Sequence, residues 1–208
     1  MPTGPTDTQD LPVPRPRPSL IWLGVMVLLA AITFWRFVPA ISIIPPIAQI
    51  GGPFSLTDQA GHVVTDRVLA GKPYAIFFGY THCPDVCPTT LQDMTDWLKA
   101  LGPDADKLHL VFVTVDPARD TQTALADYMK NFDPRIIALT GSDFDMGAMR
   151  TSFRVYAKKV DLKGSDYAMD HTAAVYLMDA AGHLQTLIGF GEKPEAALAK
   201  VKELIGAS

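Results

Sequence analysis

Residues 74–88 read YAIFFGYTHCPDVCP, and this stretch decides both the fold and the chemistry of the chain. Its first part, Tyr74–Tyr80, is a continuous apolar run, which is typical of a strand buried on both faces of a sheet. Its second part holds Cys83 and Cys87, the only two cysteines of the chain. Their four-residue offset is about one helical turn, so in a helix both sulfurs lie on one face. The pair suggests a functional site, and the candidate chemistries are a soft-metal clamp, a redox dithiol and a local disulfide.

Two prolines constrain the helix that follows the cysteines. Proline fits only the first turn of a helix, so either Pro84 or Pro88 opens a helix that we expect to end near Leu101. In both cases the thiols lie near the positive end of the helix dipole, which favours the thiolate form. Thiolate binds metals and attacks disulfides, so the position suits a metal site and a redox dithiol alike.

Strand and helix patterns alternate along the rest of the chain. We predict strands at 108–115 and 135–139, helices at 121–132 and 142–153, a hairpin-like insertion at 155–167, a β-hairpin at 173–188 and a last helix from residue 194. This order predicts an α/β domain with the thioredoxin-like fold, in which helices flank a mixed central sheet. The cysteines then lie at the first strand-to-helix turn, where open α/β sheets place their functional sites.

Composition limits the class of protein. The chain has 208 residues, 48% of them hydrophobic, and a formal net charge of −4. That length suits one sizeable domain with a tail. There is no dense stripe of Lys and Arg, so we predict no nucleic-acid partner. Two cysteines are also too few for a disulfide framework.

The N-terminal part of the sequence predicts a membrane anchor. Residues 1–18 hold six prolines, which indicates an extended and disordered tail. Residues 20–35 carry no charge, and with the next three residues the run is long enough to cross a bilayer if Arg36 snorkels. Trp22 and Trp35 lie near its ends, as in an aromatic belt. A cleaved signal peptide would need small residues after the run, whereas bulky side chains follow.

We therefore predict four parts: a disordered cytoplasmic tail (1–18), a transmembrane anchor (19–38), a linker (39–50) and a globular domain (51–208). Arg15 and Arg17 precede the predicted span and Arg36 follows it, so the positive-inside rule places the N-terminus in the cytoplasm. Asp7 and Asp10 argue against a mitochondrial transit peptide. The best fit is a bacterial inner-membrane protein that crosses once and has its C-terminal domain in the periplasm.

His171 is the main candidate for a third donor beside the two thiols. It lies on the segment that enters the strand at 173–178, and in a thioredoxin-like fold this segment approaches the cysteine loop. Two thiolates and one imidazole suit Cu(I), which is soft and accepts low coordination, whereas a closed zinc site needs a fourth ligand. The alternative is a surface or hydrogen-bonded histidine without a ligand role.

Four neighbouring features have weaker claims to the site. His82 adjoins Cys83, but neighbouring side chains of an extended segment point to opposite faces. Asp85 is a hard oxygen donor that suits Cu(I) poorly, and Met169 fits a gap-filling role in the core. The block Asp116–Asp120 either holds the metal ligands in position without binding the metal itself, or forms a plain turn with a helix cap.

Four stretches of the sequence resemble motifs of the Sco/SenC family: Thr81–Leu91, Asp116–Asp120, Leu139–Gly141 and Tyr167–Ala173. The resemblance covers about residues 51–205, and the single N-terminal anchor agrees with it. It implies that Cys83, Cys87 and His171 bind copper, as Cu(I) and also as Cu(II). It further implies that Asp116 and Asp170 are supporting residues.

The same resemblance implies a function in the assembly of cytochrome c oxidase. The expected role is that of a metallochaperone, not an enzyme, which receives copper from another periplasmic chaperone and loads the dinuclear copper site of oxidase subunit II. The alternative is a thiol-disulfide oxidoreductase with Cys83 and Cys87 as its catalytic pair, although such pairs normally enclose two residues, not three. Peroxide reduction and an inert disulfide remain as further alternatives, but Pro84 stands where a peroxide-reducing segment would have threonine.

Overall fold

The computed structural model describes residues 18–37, 50–162 and 166–206. The chain divides into two units, residues 1–45 and 46–208. In the first unit, α1 (Pro18–Phe37) is a helix of 20 residues. In the part of the chain that the structure describes, no helix combines the length and the hydropathy that crossing a membrane requires. Nearly all of the predicted tail and of the predicted linker lies outside the described residues.

The second unit is built on strands that fall into two sheets. The described strands are β1 (Ser55–Asp58), β2 (Val63–Thr65), β3 (Tyr74–Gly79), β4 (His109–Thr114), β5 (Ile136–Thr140), β6 (Ala157–Asp161), β7 (Tyr167–His171), β8 (Ala174–Met178) and β9 (Leu184–Gly189). Seven of them form one sheet in the order β2-β1-β5-β4-β3-β8-β9, and β6 pairs with β7 separately. β3 runs parallel to β4 and antiparallel to β8, which confirms the predicted mixed sheet.

The helices of the second unit begin and end at recognisable signals. They are α2 (Asp66–Leu69), α3 (Val86–Leu101), α4 (Gln122–Met129), α5 (Asp143–Ser152) and α6 (Pro194–Gly206). The Thr121 hydroxyl accepts the Ala124 N–H before α4, and the Ser142 hydroxyl accepts the Asp145 N–H before α5. α3 ends at Leu101, and its C-cap Gly102, with a φ of 56° that glycine adopts without strain, begins a 3-10 helix (Gly102–Lys107).

β3 is the centre of the core. All six of its residues are buried, as the continuous apolar run predicts. Successive side chains point to opposite faces of the sheet, so Phe77 packs against Phe112 while Phe78 packs against Phe153 and Tyr176. The end of β3 is therefore a fixed point from which the cysteine loop leaves.

Two parts of the fold differ from the sequence-based prediction. The β1–β2 hairpin and α2 were not predicted, because elements of three or four residues are too short to show a period. The hairpin-like insertion was predicted over 155–167, but its second strand, β7, continues to His171. His171 is therefore the last residue of a strand and does not lie in a loop. Residues 163–165, whose Lys-Gly-Ser sequence predicts the turn of this insertion, lie outside the described residues.

Candidate metal centre

The cysteine loop connects the end of β3 to the start of α3. Cys83 lies in the loop and Cys87 is the second residue of α3, which begins at Val86. Neither proline is the first helical residue: Pro84 precedes the helix, and Pro88 takes its third position, where a missing N–H costs no helical hydrogen bond. The Cys87 N–H donates to the Cys83 sulfur over 3.4 Å. The amino end of α3 therefore faces this sulfur, as the prediction of a favoured thiolate requires.

Three side chains that could hold a metal ion converge at this loop. The donor atoms of Cys83, Cys87 and His171 all lie within 4.8 Å of one another. The Cys87 sulfur is 3.5 Å from Nε2 of His171, across 84 residues of sequence. Both cysteines are free thiols. Among the described residues, no fourth Cys, His, Asp or Glu joins the group. The structure thus brings together the three residues that the sequence singled out.

The His171 ring is oriented by the backbone and by two aromatic rings. Its Nδ1 lies 3.1 Å from the carbonyl oxygen of Thr172, so a neutral ring donates its one proton there. That leaves the lone pair of Nε2 directed at the Cys87 sulfur, as a metal ligand requires. Tyr80 and Phe77 pack edge-on against the imidazole, with ring centroids 5.7 and 6.2 Å away.

The two thiols differ in burial and in proton affinity. Cys87 is fully buried, while Cys83 is partly exposed. The hydrogen bond from Cys87, supported by the backbone N–H groups of Asp85 and Cys87, holds the pKa of Cys83 well below its ordinary value against the effect of burial. The same hydrogen bond and burial raise the pKa of Cys87. Of the two thiols, Cys87 is therefore the one that holds its proton more tightly, and it must lose that proton when both sulfurs bind a metal.

Gly79 makes room for the Cys87 sulfur, and the sequence analysis did not single it out. A Cβ atom at this position would lie 2.7 Å from the sulfur and 2.8 Å from the Phe112 ring. Both distances are too short for real contacts, so a side chain here would displace the sulfur. The sequence does contain a signal for this role, a single glycine at the end of a buried strand. Such a glycine often marks a position where another group approaches the strand backbone closely.

Asp120 holds the start of the cysteine loop by hydrogen bonds, and the sequence analysis did not single it out as an individual residue. It is fully buried and accepts hydrogen bonds from the Thr81 N–H (3.0 Å), the Thr81 hydroxyl (2.6 Å) and the Thr114 hydroxyl (2.5 Å). Burial raises the pKa of its carboxyl group, and these hydrogen bonds oppose the shift. Because Thr81 lies two residues before Cys83, the carboxylate fixes the entry to the cysteine loop.

The two predicted supporting residues have different surroundings. Asp116 is 4% exposed and accepts hydrogen bonds from Arg119 Nε and from the Tyr167 hydroxyl, so it contacts the hairpin that carries His171. Asp170 is exposed and lies opposite Lys158 in the β6–β7 ladder. Because side chains alternate along a strand, Asp170 and His171 point to opposite faces of β7.

The weaker candidates lie beside the donor group. Nδ1 of His82 is 3.0 Å from the Thr81 hydroxyl, and the His82 side chain is 54% exposed. Asp85 is exposed at the N-cap position of α3. Met169 shares its face of β7 with His171 and packs against the core. His82 and Asp85 are therefore outside the group of three donors, in line with the expectation from the sequence.

The fold and the site together define a thioredoxin-like protein with a dithiol-imidazole group that could hold a metal ion at the end of its central strand. The SCO1/SenC family model matches residues 45–206, and the chain belongs to this family. It is 37% identical over 161 residues to the mitochondrial protein SCO2 of Saccharomyces cerevisiae, a match that covers 76% of this chain. The chain spans about half the length of that relative, 54% of it.

Solved structures of the family have the same fold. The structure of Bradyrhizobium japonicum ScoI with copper bound is 51% identical, with a TM-score of 0.70 over 74% of this chain and 99% of that chain. Yeast Sco1 with copper bound is 34% identical, with a TM-score of 0.70 over 77% of this chain and 90% of that chain. Both similar proteins were thus solved in a copper-bound form.

Proposed function

We propose that this chain is a copper metallochaperone that binds copper through Cys83, Cys87 and His171 and delivers it to the dinuclear copper site of cytochrome c oxidase subunit II. The observation that carries the proposal is the convergence of two sulfurs and one imidazole nitrogen within 4.8 Å. The copper-bound structures of two Sco proteins support the choice of metal.

The spacing and the chemistry of the donors fit copper. Metal–sulfur bonds of about 2.3 Å and metal–nitrogen bonds of about 2.0 Å place the ligands of a three-coordinate ion about 3.5 to 4 Å apart. The distance of 3.5 Å between the Cys87 sulfur and Nε2 of His171 matches this spacing. Thiolates select soft Cu(I), and three ligands satisfy it. Copper is the cargo here, and binding it releases the remaining thiol proton.

Transfer requires that a partner can reach the bound metal. Cys83 is partly exposed, and the loop residues His82, Pro84 and Asp85 around it are exposed. An incoming thiolate of the partner can therefore bind the copper while a Cys83 or Cys87 sulfur leaves it. The number of copper ligands is conserved in such an exchange, and no electron changes hands. Subunit II, with a copper site built outside the membrane, is the proposed acceptor, and another periplasmic chaperone is the proposed donor.

The proposal includes a membrane anchor formed by residues 19–38, with the copper-binding domain in the periplasm. The uncharged run over residues 20–35 supports the anchor, and the charges around it support the orientation. Carbonate extraction of membranes and protease treatment of spheroplasts test this part. We expect the protein to stay in the membrane fraction and its domain to be digested from outside. Extraction by carbonate would contradict the anchor.

The metal site is tested by titrating the reduced, full-length protein with Cu(I) against a competing chelator. We expect one equivalent to bind, and X-ray absorption to report two sulfur neighbours and one nitrogen. His171→Ala should weaken binding by more than about 100-fold. Loss of a residue that only contacts a metal ligand typically lowers metal affinity by about 10- to 100-fold, so loss of the ligand itself should cost more. The control is His62→Ala, whose imidazole is 78% exposed, pairs with Asp58 and lies outside the donor group, so the affinity should not change. An unchanged affinity in His171→Ala would contradict the three-ligand site.

A second function is favoured by the asymmetry of the thiols. Cys83 is partly exposed with a lowered pKa, and Cys87 is buried beside it, as in a nucleophile with a resolving cysteine. The Cys83 thiolate would attack a disulfide of the partner's copper-binding cysteines and release one partner thiolate. Cys87, after losing its proton, would attack the Cys83 sulfur and release the second. The two electrons come from the pair, which becomes a disulfide that a cellular thiol reductant restores.

The reductase function is tested with metal-free protein and an oxidised peptide that carries the copper-binding cysteines of subunit II. We expect stoichiometric reduction of the peptide, unaffected by His171→Ala, because the imidazole is not needed for thiol exchange. Cys87→Ser should stop the reaction at a mixed disulfide with Cys83. If neither a mixed disulfide nor a reduced peptide forms, the reductase function is excluded.

A further inference from the structure

The hairpin that carries His171 is a separate structural element. β6 and β7 pair only with each other and do not join the seven-stranded sheet. No residue of either strand is fully buried. The direction of the His171 ring therefore depends on whatever fastens this hairpin to the rest of the domain.

Arg119, in the loop after β4, fastens the first residues of β7. Its Nε donates to Asp116, and its Nη1 donates to the Tyr167 carbonyl over 2.9 Å and to Asp166 over 3.2 Å. Its guanidinium carbon is 3.6 Å from the centre of the Tyr167 ring. The Tyr167 hydroxyl in turn donates to Asp116 over 2.8 Å. The Arg119 side chain thus contacts both the backbone and the aromatic ring of Tyr167, and only 18% of the Arg119 side chain is exposed.

The guanidinium also faces the aromatic ring that packs on His171. Its carbon atom lies 5.8 Å from the centre of the Tyr80 ring, and the Tyr80 ring is perpendicular to the imidazole at 5.7 Å. Nη2 of Arg119 is buried and has no hydrogen-bond partner in the part of the chain that the structure describes. Two aromatic rings flank the guanidinium, which is an arrangement that a planar cation tolerates better than an ammonium group.

We infer that Arg119 is a positioning residue, which fixes the tilt of β7 and thereby the distance between the His171 imidazole and the two sulfurs. Tyr167 and His171 lie four residues apart on one face of β7, about 13 Å along the strand. His171 lies at the base of the hairpin, three residues before β8, and Tyr167 lies near its tip, so Arg119 holds the end of β7 opposite to the imidazole. Release of that end would change the direction of β7 and so turn the imidazole at its base relative to the two sulfurs.

The first test needs no metal and so does not depend on the proposed function. Amide hydrogen exchange is compared between the full-length protein and its Arg119→Ala and Arg119→Lys variants. We expect hairpin amides, including the Thr172 N–H that donates to Tyr156, to exchange about tenfold faster in Arg119→Ala, while β3 amides keep their rates. The control is Arg135→Ala, because Arg135 precedes β5, at the opposite end of the parallel strands from the cysteine loop, and pairs with Asp133. Unchanged hairpin exchange in Arg119→Ala would overturn the inference.

The second test rests on the proposed copper binding and uses a double-mutant cycle. Arg119→Ala should weaken Cu(I) binding by about 10- to 100-fold and reduce the nitrogen contribution to the X-ray absorption spectrum. In the His171→Ala background the same change should cost less than about twofold, because the ligand that Arg119 positions is already gone. Equal losses in both backgrounds would overturn the inference.

The lysine variant separates geometry from charge. Lysine keeps the positive charge but cannot donate in several directions from one plane, so most of the affinity loss should remain. Full recovery by lysine would overturn positioning by a planar group. Lysine is also the milder change if Arg119→Ala fails to fold, which a thermal melt detects. If the unaltered protein binds no copper, the proposed function fails, whereas the hydrogen-exchange result still decides the inference.

Discussion

The two sulfurs and the imidazole are held by parts of the molecule that differ in burial. Cys87 is fully buried on the inner face of α3, beside β3, in which every residue is buried, and Cys83 lies in the loop that packs against this core. The imidazole lies at the base of a two-stranded hairpin without a fully buried residue. The two sulfurs are thus held by the core and the loop packed on it, and the imidazole is carried by a hairpin attached to the core.

This difference suggests how a site can hold a metal and also release it. Elements with few buried apolar contacts open at a lower free energy than core strands do. We therefore expect the sulfurs to keep their positions while the hairpin opens and closes. A copper ion would then gain or lose its nitrogen ligand without rearrangement of the core, which suits the proposed transfer of copper to a partner.

The largest expected effect on stability comes from Gly79→Ala, which disturbs the buried packing around the Cys87 sulfur. The new methyl group would meet both the Cys87 sulfur and the Phe112 ring closer than 3.0 Å. We expect a loss of about 3 kcal/mol in the free energy of unfolding, the upper end of the usual cost of overpacking. Copper affinity should fall too, because the sulfur has to move. Chemical denaturation and Cu(I) titration measure the two effects.

The matched control for Gly79→Ala is Gly189→Ala at the end of β9. A Cβ atom there meets nothing within 4 Å, so we expect a change below about 0.5 kcal/mol. Equal losses in the two alanine variants would show that backbone freedom, not contact with the sulfur, explains the effect.

The next effect in size is that of Asp120→Ala, also on the core side. The change removes the acceptor of three hydrogen bonds from Thr81 and Thr114, and leaves buried donors without a partner. We expect the free energy of unfolding to fall by about 2 kcal/mol. Asp120→Asn keeps an acceptor of the same shape and should cost less. An alanine variant as stable as the asparagine variant would contradict this anchoring role.

The Asp120→Asn variant also gives a dependence on pH with a defined sign. Burial raises the pKa of Asp120 above its ordinary 3.8, so between these two values the native protein binds more protons than the unfolded chain. The contribution of Asp120 to stability therefore falls as the pH rises through this window. Asparagine does not titrate, so its stability relative to the unaltered protein should improve over the same window. A difference that does not vary with pH would contradict the raised pKa.

The core side of the site could be predicted from the sequence, because local patterns define it. The apolar run at 74–80 and the cysteines after it mark a buried strand and a site, whatever the rest of the chain does. The exact start of α3 could not be predicted, since both Pro84 and Pro88 suit a first helical turn. Gly79 and Asp120 were missed because their importance lies in contacts across the fold, which no local spacing reveals.

The hairpin side was harder to predict. His171 was expected on the segment that enters the strand at 173–178, because the alternation of Tyr167, Met169 and His171 is short and belongs to a half-exposed strand. The resemblance named Asp116 and Asp170 as supporting residues, but sequence spacing does not say which of them faces the site. Only the register of β7 shows that Asp170 lies on the opposite face from His171.

A smaller effect is expected from Tyr167→Phe on the hairpin side. The change removes one hydrogen bond to Asp116 but keeps the ring that stacks on Arg119. We expect a loss of about 1 kcal/mol in the local stability of the hairpin, seen as faster amide exchange. The free energy of global unfolding should change less. Tyr156→Phe is the control, because Tyr156 is 52% exposed just before β6. A loss in global stability alone would contradict a separately opening hairpin.

The smallest effect is expected from Arg135→Ala. Arg119 links two distant segments of the chain, whereas Arg135 pairs with a residue close to it in sequence. Arg135 pairs with Asp133, two residues away, and is 46% exposed. We expect a loss below about 1 kcal/mol at neutral pH and unchanged copper affinity. Because Arg135 lowers the pKa of Asp133 from 3.8, this stabilisation is present above that pH and vanishes as the pH falls and Asp133 is protonated. The unfolding curves of the variant and the unaltered protein should therefore converge in acid, whereas a constant gap would show that Arg135 acts by packing and not by charge.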